Sequence, residues 1–349
     1  MSFISDYCKQ IIRPPRRTYS IQLLGPKTRF IQSVPIIRED FEFTSRQLKL
    51  QASYFVQESV HHRCLIYLHC NASCRLEGLQ YVDRLLATGV NLCIFDFAGC
   101  GLSEGKYITM GTYESEDVKE LMNYIECRFG KVDEFILWGR SMGAVTALML
   151  SQDPRITTYI ADSAFTQLRT VIEELGQQKF GCFSFMINGF MPFLRSKIIN
   201  EAQFDIDQVS PLNCIGIQSN TKRFYFLAGK TDQLVHPRHS QMLYENCKSY
   251  KRLELCDGNH NTTRQVETLD KISKFINLLQ LDLPLNVEYA NKCSKYFKEA
   301  QQCLNSYRMQ QQEQEENLKE YVKQLERKSI LKSYQQQSRD LSDLEKYLE

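Results

Sequence analysis

The chain contains no apolar stretch approaching the roughly 20 residues that a membrane-crossing helix needs. Its richest window, residues 180–194, is short and broken by Gly181, Gly189 and Pro192. A membrane span is therefore not expected, although peripheral membrane contact stays open. The opening MSFISDYCKQIIRPPRR holds no uninterrupted apolar run of signal-peptide length, so nothing in it directs secretion. Excess charge is also missing: 43 Lys and Arg meet 41 Asp and Glu, and no run is basic enough to follow a phosphate backbone. Nucleic acid is excluded as a partner on that ground. Regular cysteine pairing is absent too. An odd 13 cysteines fit a reducing compartment better than a disulfide framework, and the expected location is cytoplasmic. Cys70 and Cys74 form only a lone C-x-x-x-C, and Gly99, Gly101 and Gly105 match neither the dinucleotide fingerprint nor the P-loop. No metal and no cofactor is expected.

What is present is an ordinary globular composition, 349 residues with 43% hydrophobic and 24% charged, enough for one large domain and an appendage. The centre of the pattern is Glu134–Leu150, EFILWGRSMGAVTALML. An apolar run suited to a strand buried on both faces leads into Gly139-Arg140-Ser141-Met142-Gly143, and a helix follows. A serine on so tight a turn takes a strained backbone conformation, and the flanking glycines keep side chains off neighbouring backbone. The turn exposes the Ser141 hydroxyl and aims the Met142 N–H, at a helix N-terminus, toward an oxygen bound there. About one chain in twenty of this glycine content carries G-x-S-x-G by chance, so the weight rests on the strand before it, the helix after it and the residues downstream.

In chain order, residues 1–29 are expected to be an irregular arm broken by Pro14-Pro15 and Gly25-Pro26. Two or three strands follow up to Val56, the last alternating as a half-solvated antiparallel edge does. Continuous apolar strands are then predicted at 64–68, 91–95, 135–138, 156–161, 223–228 and 251–255, with helices near 75–88, 112–129, 237–247 and 264–279 between them. That alternation calls for a mostly parallel central sheet with helices on both faces. It is interrupted at about 163–210 by a helical insertion rich in phenylalanine (Phe180, Phe183, Phe185, Phe190, Phe193), which suits packing on the sheet and also a lid over Ser141. The domain spans 30–284. Residues 285–349 have neither glycine nor proline, and a heptad through Phe297, Ala300, Leu304, Tyr307, Leu318, Tyr321 and Leu325 with Gln311 and Gln314 in the seam suggests a long helix or coiled coil that offers a site for a protein partner.

Ser141, Asp232 and His260 occur in the order Ser, Asp, His, each just after a predicted parallel strand, and in an open α/β sheet such ends share one crevice. A serine hydroxyl needs a base to take its proton, and the base needs a carboxylate to fix its tautomer. His61, His62, His69, His236 and His239 are poorer candidates for the base. Asp257 is a rival acid, placed too close in sequence to His260 to reach around the ring.

The segments IYLHCNASCR, IFDFAGCGLSEG, LWGRSMGAVTAL, ADSAFT, FLAGKTDQLVHPRHS and ELCDGNH together resemble the α/β-hydrolase superfamily, in its serine aminopeptidase-like or Bem46-like branch, over about residues 64–262. The resemblance implies a serine hydrolase with Ser141 as nucleophile, Asp232 as orienting acid, His260 as base, and an oxyanion hole from the N–H groups of Met142 and Asn71. Where that branch carries His-Gly-Asn this chain has His69-Cys70-Asn71, which puts a thiol beside the expected oxyanion hole. The expected reaction is hydrolysis of a carboxylic ester or thioester, in a small molecule, a lipid or an acylated protein, through an acyl-enzyme. An aminopeptidase-like amide hydrolase is the alternative within the enzyme class, and a catalytically weak pseudo-hydrolase scaffold with a partner-binding tail is the alternative outside it.

Overall fold

The computed structural model describes residues 2–277 apart from 32–33, 58–61, 181–184 and 217–221; the expected helical tail lies outside the described residues. Nine strands, β1 (Thr28–Ile31), β2 (Val34–Ser45), β3 (Leu48–Val56), β4 (Arg63–Leu68), β5 (Asn91–Phe95), β6 (Glu134–Arg140), β7 (Ile156–Asp162), β8 (Arg223–Gly229) and β9 (Tyr250–Cys256), form one sheet in the order β1-β2-β3-β5-β4-β6-β7-β8-β9. The first three are antiparallel and the other six are parallel to one another, with β3 antiparallel to β5.

The parallel strands are the apolar runs of the sequence because both of their faces are covered. On one face Leu137, Phe95 and Ile66 join Val118, Val145 and Leu243 from helices 112–129, 142–149 and 238–246. On the other, Ile136, Trp138 and Ile94 join Leu85 and Ile272 from helices 82–86 and 266–276. The only tryptophan of the chain, Trp138, is fully buried there, stacked on Tyr81 at 4.8 Å and edge-on to Tyr67 at 5.9 Å. Stacked and edge-on pairs at such spacings add to the area they bury.

Three expectations change. The edge of the sheet is β1, not β3: β3 lies between β2 and β5, and its Ser53 and Phe55 are buried along with Leu50, Ala52 and Tyr54. Helical chain near 75–88 forms two short pieces, 76–79 and 82–86, the first lying so close on the sheet that a Cβ on Gly78 would meet Ile94 at 2.6 Å. The start of the arm is helical over Ser2–Ile12, because Cys8 and Ile12, one turn apart, are both buried before Pro14-Pro15 ends the helix. Tyr7 of that helix lies edge-on to Phe190 at 5.9 Å.

The insertion forms helices 168–180 and 185–202. Met191, Leu194, Ile198 and Ala202 are buried while Phe193 is exposed, so part of its apolar surface is core packing. The side chains of Phe180, Phe183 and Phe185 lie outside the described residues. The ten described cysteines are all free thiols, and no described helix is long and apolar enough to cross a membrane.

Candidate active site

Ser141 lies between the end of β6 and helix 142–149 with φ 53° and ψ −117°, a conformation that L-residues rarely adopt. Its backbone is held on both sides, the N–H donating to the Asp162 carbonyl at 2.8 Å and the C=O accepting from Val145 at 3.0 Å. A Cβ on Gly139 would stand 2.1 Å from Gly143, and one on Gly143 would stand 2.0 Å from the Leu68 carbonyl oxygen. The two glycines therefore let the elbow close against the end of β4, from which the His69–Ser73 loop departs. Met142 opens the helix, where the first N–H groups have no intrahelical acceptor.

The loop bearing Asn71 is set by His69. Its Nδ1 lies 2.7 Å from the Cys70 carbonyl and its Nε2 accepts the Phe97 N–H at 3.1 Å, an arrangement that fits a neutral ring protonated at Nδ1. His69 is thus a fully buried structural clamp between the ends of β4 and β5.

Asp232, after β8, is the carboxylate that reaches His260: Oδ2 stands 2.7 Å from His260 Nδ1. Its Oδ1 accepts the N–H groups of Leu234 at 3.0 Å and Val235 at 2.9 Å, so both oxygens are fixed. Burial would raise this carboxyl, but the hydrogen bond and charge of His260 and the two backbone donors outweigh it and hold the group below the ordinary carboxylate range. Asp257, the rival acid, is exposed and pairs with Lys230 at 2.5 Å. Backbone bonds from Lys230 N–H to Cys256 and from Thr231 N–H to Gly258 join the acid and histidine loops. Ser141, Asp232 and His260 are only 6%, 2% and 7% exposed, which lowers the local dielectric around any charge that develops there.

Two ion pairs that the sequence did not reveal hold these loops in place. Arg140, beside Ser141, forms a two-pronged pair with Glu77 at 3.0 and 3.1 Å and donates to the His260 carbonyl at 3.3 Å. Tyr67 also donates to Glu77, at 3.0 Å. Burial pushes the Glu77 carboxyl up, but Arg140 more than offsets it, and the group is held at about 2. The Cys70 thiol belongs to this network, donating to Glu77 at 3.3 Å and accepting from Arg140 at 3.0 Å. Burial first, and then the charge of Glu77, pushes that thiol up to about 12, so it stays neutral. The second pair joins Arg264, four residues beyond His260, to Asp162, whose carbonyl holds the Ser141 N–H. The only hint of either pair in the sequence is an arginine inside the G-x-S-x-G turn. Among the described residues no group of three or more His, Cys, Asp or Glu is placed to hold a metal ion.

A strained serine at the end of a central parallel strand, in a sheet of this order, is the α/β-hydrolase fold, the fold of the solved esterases to which the chain is similar. Residues 65–197 match the family described as serine aminopeptidase, S33. The chain is similar to the uncharacterized protein YqkD of Bacillus subtilis, at 26% identity over 189 residues, 53% of this chain and 60% of that protein, and so spans less than two thirds of that relative. It is also similar to the uncharacterized protein YfhR of Escherichia coli K12, at 26% identity over 65% of this chain and 74% of that one. Among solved structures, the esterase Pf2001 of Pyrococcus furiosus shares the fold with a TM-score of 0.57 and 24% identity, covering 76% of this chain and 97% of that one. Acetyl xylan esterase 1 of Thermoanaerobacterium shares it with a TM-score of 0.51 and 17% identity, covering 77% and 92%.

Proposed function

We propose that the chain cleaves a carboxylic ester or thioester, in a lipid, a small molecule or an acylated protein, through an acyl-enzyme on Ser141. The observation that carries this reading is the 2.7 Å bond from Asp232 to His260 Nδ1. It fixes the tautomer that leaves Nε2 free to accept a proton. In the first half-reaction Nε2 takes the Ser141 hydroxyl proton as Oγ attacks the acyl carbon. The developing oxyanion is held by the N–H groups of Met142 and Asn71, and its collapse expels an alcohol or thiol that receives the proton from His260. In the second half-reaction a water, deprotonated by His260, attacks the acyl carbon, and collapse releases the carboxylic acid as His260 returns the proton to Ser141 Oγ. Because Asp232 titrates below the usual carboxylate range, it stays ionised at neutral pH and stabilises the imidazolium that forms at each step.

Esters and thioesters are favoured over amides by the esterase neighbours and by the apolar insertion; the amide alternative rests on the description of the matched family. Free thiols throughout the described core support a reducing compartment, for which we take the cytoplasm. A fluorophosphonate probe tests the reading directly: wild type is labelled at Ser141 and Ser141→Ala is not. An unlabelled wild type would make the chain a scaffold, while faster turnover of aminoacyl amides than of esters would move it to the alternative substrate class.

A further inference from the structure

Between Asp6 and Glu39 the chain carries seven Lys and Arg and no Asp or Glu, although its total net charge is only +2. The same stretch holds Ile21, Leu23, Phe30, Val34 and Ile37, half of the ten exposed large apolar side chains among the described residues, with Leu23 61% and Phe30 72% exposed. These side chains are not exposed because the segment is loose. Ile12 and Leu24 are buried. Arg16 donates to the carbonyls of Cys100, Gly101 and Gly105, Tyr19 donates to Asp96 at 2.7 Å, and buried Arg38 binds the carbonyls of Leu24 and Gly25. Between these anchors Arg13, Arg17, Ile21, Leu23 and Lys27 are exposed, and the three cations form no ion pair among the described residues. In β1 and β2, Phe30 pairs with Pro35 and Thr28 with Ile37, which puts Phe30, Pro35 and Ile37 on the solvent face of the sheet edge. Beside the arm, Arg13, Arg16 and Lys106 stand on the wall of a pocket of about 310 Å³ whose lining includes no carboxylate.

We propose that this arm and the β1–β2 hairpin form a docking surface for an anionic lipid membrane, the apolar side chains entering the interface and Arg13, Arg17, Lys27 and Lys106 meeting acidic headgroups. Apolar anchors interleaved with cations are the two signals that give stable but reversible binding to such a surface. A second copy of this chain is disfavoured as the occupant, since a self-complementary contact would bring two basic runs together. The arm starts at the carboxyl end of β5, where Tyr19 meets Asp96, and runs along the outer strands to Arg38; the hairpin stands at the opposite, amino end of the parallel strands, since Ile37 pairs with Val56 and Phe55 with Leu92. Asp96, at the carboxyl end of β5, accepts from Tyr19 of the arm, from Arg75 N–H and from Leu102 N–H, and Cys100 in the same loop approaches the Asn71 carbonyl at 3.9 Å.

The test is co-sedimentation of the full chain with vesicles of phosphatidylcholine containing phosphatidylserine, against vesicles of phosphatidylcholine alone. Wild type binds the first and not the second, and added salt weakens the binding. Arg17→Glu with Lys27→Glu cuts the apparent affinity by about 25-fold or more, at about fivefold per cation near such a surface. Leu23→Ser with Phe30→Ser lowers it as well, and circular dichroism melting shows both variants folded. Ser141→Ala binds as wild type does, which separates this result from the fate of the catalytic proposal. Equal binding to both vesicles, no binding, or undiminished binding by the charge variant would overturn the proposal. So would wild-type self-association that Phe30→Ser abolishes in the absence of vesicle binding.

Discussion

At Ser141 the backbone leaves no freedom, because side chains at Gly139 or Gly143 would overlap neighbouring backbone at about 2 Å and both ends of the serine's peptide are hydrogen-bonded. At His260 two backbone bonds join its loop to the Asp232 loop, but the ring and its own peptide are held by side chains: Asp232 holds the ring, Arg140 holds the carbonyl, and Arg264 ties the following turn to Asp162. Geometry fixed by backbone sterics cannot be tuned without disturbing the fold. Geometry fixed by hydrogen bonds can be altered one partner at a time. Substitutions around the serine should accordingly affect folding unless they touch only its hydroxyl, and substitutions around the histidine should affect turnover first.

The sharpest way to isolate the hydroxyl is Ser141→Ala, which leaves the elbow backbone alone. A loss of about a millionfold in kcat is expected with unchanged circular dichroism, and appreciable residual hydrolysis would remove Ser141 from its role. On the histidine side, Asp232→Asn should lower kcat by about 10⁴-fold by favouring the wrong tautomer. Asp257→Asn should be close to wild type, since that carboxylate is exposed and faces Lys230; the reverse order would move the acid to Asp257.

The link between the two regions is Arg140–Glu77, and Glu77→Gln breaks it, leaving a buried guanidinium without its counter-ion. A loss of about 3 kcal/mol in unfolding free energy is expected at neutral pH. The folded Glu77 titrates at about 2 against 4.5 for the free side chain, so the stability it contributes is present above about pH 4.5 and is lost as pH falls toward 2. Thermal melts of the two proteins should therefore converge as the pH is lowered through that window; a constant difference would mean the pair is not what stabilises the wild type.

Cys70→Gly should change kcat/KM by no more than a fewfold, because the thiol is neutral and engaged with Glu77 and Arg140. A hundredfold gain would mean that the side chain displaces Asn71 in the wild type. Smallest of all is the effect expected from deleting residues 286–349, after the last matched segment near His260: hydrolysis of a small soluble ester should be unchanged, and an inactive or insoluble product would put the domain boundary elsewhere.

Most of this architecture could be read from periodicity. Strand 91–95 and helix 112–129 lie where apolar runs and amphipathic spacing put them, since local pattern and tertiary burial agree there. Helix Ser2–Ile12 was not legible, because its apolar stripe is short and the adjacent prolines dominate the local signal. The alternation in β3 suggested an edge, but β2 extends the sheet and the core covers Phe55 on its second face. In the site, the serine, acid and histidine are marked by strand ends and turn residues. The pairs Arg140–Glu77 and Arg264–Asp162 join residues 63 and 102 positions apart, which no local pattern encodes.

The placement of Trp138 makes the site observable without a label. It is the only tryptophan, three residues before Ser141, and it rests on Tyr81 and Tyr67, the second of which donates its hydroxyl to Glu77. Indole emission from this chain, excited selectively over its 18 tyrosines, is therefore a local signal rather than a molecular average, coming from the seam between the elbow strand and the segment that follows the Asn71 loop. Any event that shifts that segment, such as protonation of Glu77, changes the environment of a single indole and can be followed in real time on the unmodified protein.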